Sequence, residues 1–398
     1  MNRSLRTGIC LALFFCHMAW ANNAAAPQTA PSYKVVGYYL ARAEAKRQYT
    51  PENIQAAKLT HLNYAFAAIR NGEVALDSEV PIAQSEANLA MLAKLKQGHP
   101  QLKTLISVGG WAGSQDFSNV ALTAETRTRF AASAVAFMRH YGLDGVDIDW
   151  EFPVAGGAEG NARRPQDKQN YTLLFKALRE KLDSADKKDR RHYLLTAAIG
   201  NNQQFLDDTE MAKVAGILDW VNIMTYDFSG HWNKYAGHHA PLYSDPQLKH
   251  DGVAETLSVS GIVDLTMQAG VPPNKLVLGV PFYGYSWKQC GANDHGQLQD
   301  CQGNGRGSWE DGVLDFSDIE TNLINKNGFV RYWNDTVKAP YLFNANTGEF
   351  VSYEDVESLG YKIDYLKKHG LGGAMFWEIS GDRNFVLQNK LAHDLLGK

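Results

Sequence analysis

The chain is predicted to fold as a (β/α)8 TIM barrel with a small α+β insertion domain between strands seven and eight. Three observations carry this. Short segments rich in Val, Ile and Leu alternate eight times with helical patterns. Those segments are apolar almost throughout, as strands covered on both faces must be. The rhythm breaks once, from about residue 286 to 352, where the text turns loop-rich and strand-like. A doubly wound open sheet is the alternative. It is disfavoured because GYYLARAEAKR, after the first strand, holds one glycine where a phosphate-binding loop needs several.

In chain order, the first element is an address. Arg3 and Arg6 precede an apolar run from Ile9 to Phe15, and Ala19-Trp20-Ala21 places small residues where signal peptidase cuts. Residues 1–21 therefore read as a secretory signal cleaved near Ala21. The run is too short for a membrane anchor, which needs about 20 apolar residues. Cys16 follows Phe14-Phe15 rather than small residues, which argues against lipoprotein processing. Residues 22–32 (NNAAAPQTAPS) read as a flexible leader.

The strands are expected at 34–39, 60–69, 103–110, 143–151, 193–200, 218–227, 275–285 and 371–378. The clearest helices fall at 85–97, 124–141, 167–182 and 356–369. The catalytic barrel then comprises 33–285 and 353–398, with 286–352 as the insert. Within the insert, TVKAPYLFN and ANTGEFVSY form a hairpin turning near Asn346-Thr347-Gly348. Signal cleavage leaves two cysteines, Cys290 and Cys301, and in an exported chain a close pair reads as a disulfide. Two thiols with His295 between them are too few ligands for a zinc site. Formal net charge is -4 with no long run of one sign, which argues against a nucleic-acid partner or a basic membrane patch.

The chemistry concentrates in DGVDIDWE, residues 144–151. Alternation along a strand sends Asp147, Asp149 and Glu151 to one face and Ile148 and Trp150 to the other. Buried acids are costly against a net folding stability of roughly 5–15 kcal/mol, so packing does not explain three on one face. A solvent-facing edge strand would explain them, but Val146, Ile148, Trp150 and Phe152 are too bulky and apolar for one. Trp150 is assigned to the core beneath the helices.

In such a barrel the loops after the strands form the active face. Strand three ends SVGGW (107–111), strand six MTYD (224–227), strand seven FYGY (282–285) and strand eight FWE (376–378). Carboxylates, phenols and indoles from separate strands converge there. Aromatic rings suit the apolar faces of pyranose rings, and acids and amides read hydroxyls, so the ligand is a carbohydrate rather than a phosphorylated molecule. Trp111, Met224 and Trp377 are the leading contacts, joined by Tyr39, Phe66, Tyr285 and, in the loop after strand six, Trp232. His231, His238 and His239 in that loop lack a helical i, i+4 arrangement with an acid, so solvated or hydrogen-bonded histidines are expected and no metal.

DGVDIDWE resembles the DxxDxDxE signature of family 18 glycoside hydrolases, the chitinase family. SVGG, MTYDF, PFYGYSW and MFWEISGD resemble further segments of that family, in its order, from about residue 33 to the end. The 286–352 segment is similar to the family's insertion domain, and SWEDGVLDF lies where such inserts carry a similar stretch. Many members have Arg where this chain has Tyr285. The resemblance implies that Glu151 is the general acid and that Asp149 shares a proton with Asp147, then turns to hold the substrate's N-acetyl group. It further implies that Tyr226 hydrogen-bonds that group, with Asp227 the acid beside it and Trp377 the floor beneath the sugar.

The spacing fits such chemistry. Asp149 and Glu151 lie about 6.6 Å apart at Cα by strand rise, close enough to share protons. That suits less well two carboxyls flanking a bond, about 5–5.5 or 6.5–9.5 Å apart in ordinary retaining and inverting enzymes. The substrate's own acetamido oxygen is then the nucleophile, with Asp227 as the alternative on the protein. The expectation is a secreted chitinase: a monomer acting on chitin or chito-oligosaccharides with retention, without metal or organic cofactor and without stable membrane insertion. An endo-β-N-acetylglucosaminidase and a non-catalytic chitin-binding lectin are the alternatives; lectins of this type typically lack the acid at the position of Glu151.

Overall fold

The computed structural model describes residues 33–251 and 257–398, with side chains undescribed at 249–251; the signal segment and leader lie outside them. Eight parallel strands close into a barrel: β1 (Lys34–Leu40), β2 (His61–Arg70), β3 (Lys103–Gly109), β4 (Gly145–Asp149), β5 (Leu194–Ile199), β6 (Trp220–Ile223), β7 (Leu276–Pro281) and β8 (Gly373–Trp377). Each pairs with its neighbour in sequence, and β1 closes the ring by pairing with both β2 and β8.

Strand parity divides the apolar side chains into two layers. Val36, Tyr38, Ala65, Trp220, Val277 and Met375 pack together inside the barrel. Val35, Tyr39, Leu62, Tyr64, Ile106, Val146, Ile148 and Trp150 belong to the larger core between strands and helices. Trp150 is 1% exposed and stacks on Phe117, as its parity requires. The same rule overturns the reading of Tyr39 as a sugar contact. Tyr39 points outward among Tyr49 and Tyr64 with its hydroxyl on the Tyr49 carbonyl, while its neighbour Tyr38 points in.

The helices at 85–97, 124–141, 167–182 and 356–369 are present as Ile82–Gly98, Ala124–His140, Asp167–Asp189 and Val356–Lys368. Thr123 and Asp355 cap two of them through side-chain acceptance of backbone N–H groups. A short strand, Glu73–Leu76, runs antiparallel to β2 beyond the barrel and was not anticipated. β4 ends at Asp149, so Glu151 stands just past the strand rather than on its last residue. The seventh apolar segment breaks after Pro281, and its remainder, Tyr283–Trp287, enters a second sheet earlier than the boundary at 286.

That second sheet is five-stranded and antiparallel, in the order Val313–Asp315, Tyr283–Trp287, Glu349–Ser352, Ala339–Asn344, Val330–Asn334. The last two strands in chain order form the expected hairpin, turning through Gly348 at φ +67°. Cys290 and Cys301 are disulfide-bonded. Closing so short a loop constrains the unfolded chain by about 3 kcal/mol. Cys301→Ser is therefore expected to cost about 2–3 kcal/mol, read as a lower Tm that added reductant no longer changes. Among the described residues no helix is long and apolar enough to cross a membrane.

Candidate active site

The strand ends open on a cleft of about 1030 Å³, and Asp149, Glu151, Tyr226 and Trp377 all face it. β3 and β4 set the acids. Gly109 and Gly110 adopt φ of +111° and +77°, and a Cβ on Gly109 would sit 2.2 Å from the Asp149 carbonyl oxygen. One on Gly110 would sit 2.5 Å from the Phe66 ring. The glycine pair therefore lets β3 turn away directly beside the acids. Ser114, beyond that turn, accepts from the Glu151 N–H at 2.9 Å, and Asn161 donates to the Glu151 carbonyl at 2.8 Å. Both sides of the Glu151 backbone are thus fixed by loops.

Beneath it, Asp147 is fully buried and accepts from Tyr38 Oη at 2.8 Å, Ser107 Oγ at 2.7 Å and Thr196 Oγ1 at 2.5 Å. Asn222 Nδ2 donates to Tyr38 Oη, and Trp220 Nε1 donates to Asn222, so the chain of donors crosses the barrel interior. Burial raises the Asp147 pKa and these donors pull it back. Asp149 has no such support: its Oδ1 is buried without a partner. Burial and then the neighbouring Glu151 and Asp147 hold Asp149 well above the usual carboxylate range. The donors favour the charged form of Asp147 relative to Asp149, which has none. Burial, then the charge of Asp227, pushes Glu151 up to about 8, so it too is protonated at neutral pH.

Tyr226 is buried beside Asp149 and Glu151, and burial followed by the Asp227 charge raises its pKa strongly. Asp227 takes φ +61° and accepts from Tyr283 Oη at 2.5 Å. Trp377 stacks on Phe66 at 5.5 Å between centroids and meets Tyr38 at 5.7 Å. Phe66 reaches the cleft because the β2–β3 register slips between Ala65 and Ala67. Trp111 and Trp232, 57% and 56% exposed, stand on the cleft wall as platforms rather than core. Met224 and Tyr285 also line the cleft, Tyr285 with its ring 5.3 Å from both Trp232 and His231.

Of the residues singled out in the sequence for the site, all line the cleft except Asp147, which is buried beneath it, and Tyr39, which points away into the outer core. Sequence reasoning missed Tyr38, Thr196, Asn222 and Tyr283, which carry hydrogen bonds to the acids or to one another. Inward parity on β1 was the signal for Tyr38; Thr196 and Asn222 are ordinary strand residues that nothing local marks. Of the loop histidines, His238 is hydrogen-bonded to Gln297, as expected, and His239 departs from expectation in being neither solvated nor hydrogen-bonded at its ring. His238 and His239 are buried, because the second sheet covers their loop.

A closed parallel barrel with a protonated carboxyl on the wall of an aromatic cleft, backed by two further acids on the same strand face, is built to protonate a glycosidic oxygen. That is the architecture of a glycoside hydrolase. Residues 34–382 match the model of the glycosyl hydrolases family 18, and the chain belongs to that family. It is 48% identical to chitinase A1 of Niallia circulans over 98% of this chain and 62% of that protein, so it spans somewhat under two thirds of that relative's length. The solved chitinase ChiA74 of Bacillus thuringiensis superposes with a TM-score of 0.87 at 41% identity, covering 92% of this chain and 70% of that one. A family 18 N-acetylglucosaminidase of Paenibacillus barengoltzii gives a TM-score of 0.80 at 40% identity over 91% of this chain and all of its own.

Proposed function

We propose that the protein is an exported chitinase that cleaves β-1,4 bonds between N-acetylglucosamine units with retention, using the substrate's acetamido group as nucleophile. The observation that carries the reading is the stacked acid series: Glu151 and the unpartnered Asp149 face the aromatic cleft, over an Asp147 held by three hydroxyl donors, and burial with the Asp227 charge keeps Glu151 protonated. Export is supported by the signal pattern at 1–21 and by the disulfide. The relatives named as chitinases support the substrate class.

In this reading the sugar at the point of cleavage lies on Trp377. Glu151 gives its proton to the glycosidic oxygen as the bond breaks. The acetamido oxygen attacks the anomeric carbon from the opposite face, forming a cyclic oxazolinium ion. Asp149 turns toward the acetamido N–H, and Tyr226 Oη donates to the acetamido oxygen until it attacks. As it turns, Asp149 leaves its proton on Asp147, so the negative charge sits on Asp149, close to the cation that develops. Glu151, now ionised, takes a proton from water, which attacks the same face the leaving group left. Two inversions give net retention.

The P. barengoltzii neighbour favours a second reading, release of single N-acetylglucosamine units from chain ends. Digestion of an N-acetylglucosamine hexamer, followed by proton NMR at early times, addresses both. Fresh β-anomer with dimers and trimers is expected. Early α-anomer would sink retention, and monomer as the sole first product would favour the exo-acting alternative.

A further inference from the structure

His239 has no part in that mechanism, yet it is 0% exposed and neither ring nitrogen has a hydrogen-bond partner. Burying two polar nitrogens without partners is costly, and native structures seldom retain such a group without a use for it. The Asp227 carboxylate lies 3.9 Å from Nδ1. The backbone that carries the imidazole is pinned on both sides. The backbone N–H of His239 donates to Ser352 Oγ at 2.9 Å, and its carbonyl accepts from Phe228 N at 2.9 Å, the residue after Asp227. The next carbonyl, Ala240, accepts from Lys362 Nζ at 2.6 Å, and Lys362 is paired with Glu354, both ions 1% exposed. Ser352 belongs to the second sheet and Lys362 to the helix Val356–Lys368. The loop bearing Asp227 and His239 is therefore clamped from outside the cleft by two elements at once.

We propose that His239 is the positioning residue for Asp227: its Nδ1–H closes on the Asp227 carboxylate in the working enzyme and, with the Tyr283 hydroxyl, keeps that carboxylate beside Glu151. Asp227, at φ +61° and 38% exposed at its side chain, has room to swing away without such a hold. Tyr283 binds its Oδ1 from one side. The groups facing the imidazole are Asp227, the rings of Tyr283 and Tyr285 at 5.3 Å each, the neighbouring His238, and Lys362 with its partner Glu354. Burial lowers the His239 pKa, with Asp227 opposing, so the ring acts as a neutral donor. The insert then has a second use besides walling the cleft, since Ser352 holds the backbone that aims His239.

The inference rests on the reading of Glu151 as the acid and has its own test. On a chromogenic N-acetylglucosamine trimer, kcat, KM and the pH profile of kcat/KM are compared for the wild type, His239→Phe, His239→Asn, Asp227→Asn and the double variant His239→Phe/Asp227→Asn. Phe keeps the ring and removes both nitrogens; Asn keeps an N–H close to the place of Nδ1. His239→Phe is expected to lower kcat about tenfold with KM within about threefold. Its high-pH limb should move to lower pH, because a displaced Asp227 charge no longer opposes ionisation of Glu151. His239→Asn should recover most of kcat and the limb, and His239→Phe should add little once Asp227 is Asn. The proposal is overturned by a wild-type kcat and limb in His239→Phe, by equal losses in the Phe and Asn variants, or by the same loss in the Asp227→Asn background. If the Phe variant does not fold, His239→Leu replaces it in the same comparison. Failure of the acid assignment shows separately, as a Glu151→Gln enzyme that still turns over.

Discussion

Glu151→Gln should lower kcat by about 10³-fold or more while leaving the affinity for a chito-oligosaccharide within a few-fold of the wild type. General acids typically contribute about 10²–10⁴, and a sugar alkoxide leaves poorly without one. Gln has nearly the shape of the protonated acid, so the aromatic walls, Trp111, Trp232 and Trp377, keep their contacts. Steady-state hydrolysis with calorimetric binding on the same protein separates the two effects. Comparable turnover in the variant would remove Glu151 from the chemistry.

The same substitution has a stability consequence whose sign follows from linkage. The folded-state pKa of Glu151, about 8, exceeds the unfolded value near 4.5. The folded protein therefore holds a proton that the unfolded chain gives up as pH rises through that window. Stability from this group is intact below the lower value and is lost toward the higher one. Glu151→Gln should then melt later than the wild type in mildly alkaline buffer and show little difference in acid. A variant that loses activity yet gains Tm is the pattern expected of a residue kept for chemistry at the expense of stability.

Asp149→Asn is the second large effect, with kcat expected to fall about 10²–10³-fold, on the scale of losing an electrostatic stabiliser of the transition state. The amide matches the size of a protonated Asp149 but cannot become a carboxylate when the acetamido N–H needs an acceptor. KM should rise only modestly, since the aromatic floor is untouched. A loss confined to KM would mean that Asp149 merely binds the ground state.

Much of this was legible in the chain because strands covered on both faces announce themselves by composition. Periodicity also set the acids on one face and Trp150 on the other. On β1, Tyr38 and Tyr39 are identical in type, so composition does not distinguish the inward Tyr38 from the outward Tyr39. Glu151 lies beyond the strand because Ser114 and Asn161, from two different loops, hold its backbone. No local pattern reveals a hydrogen bond between residues 37 positions apart. The donors to Asp147 come from three other strands, and each looks like an ordinary Ser, Thr or Tyr until the barrel closes. His238 and His239 read as solvated or hydrogen-bonded loop residues, and the burial that leaves the His239 ring unpartnered comes from a sheet that follows later in the chain.

The central claim is that Glu151 supplies the proton and the substrate's own amide completes bond breaking. The most direct test compares initial rates on fully N-acetylated and fully deacetylated glucosamine hexamers of equal length under conditions where both are bound. Turnover of the acetylated hexamer should exceed that of the deacetylated one by several orders of magnitude. Equal rates on the two would contradict the account.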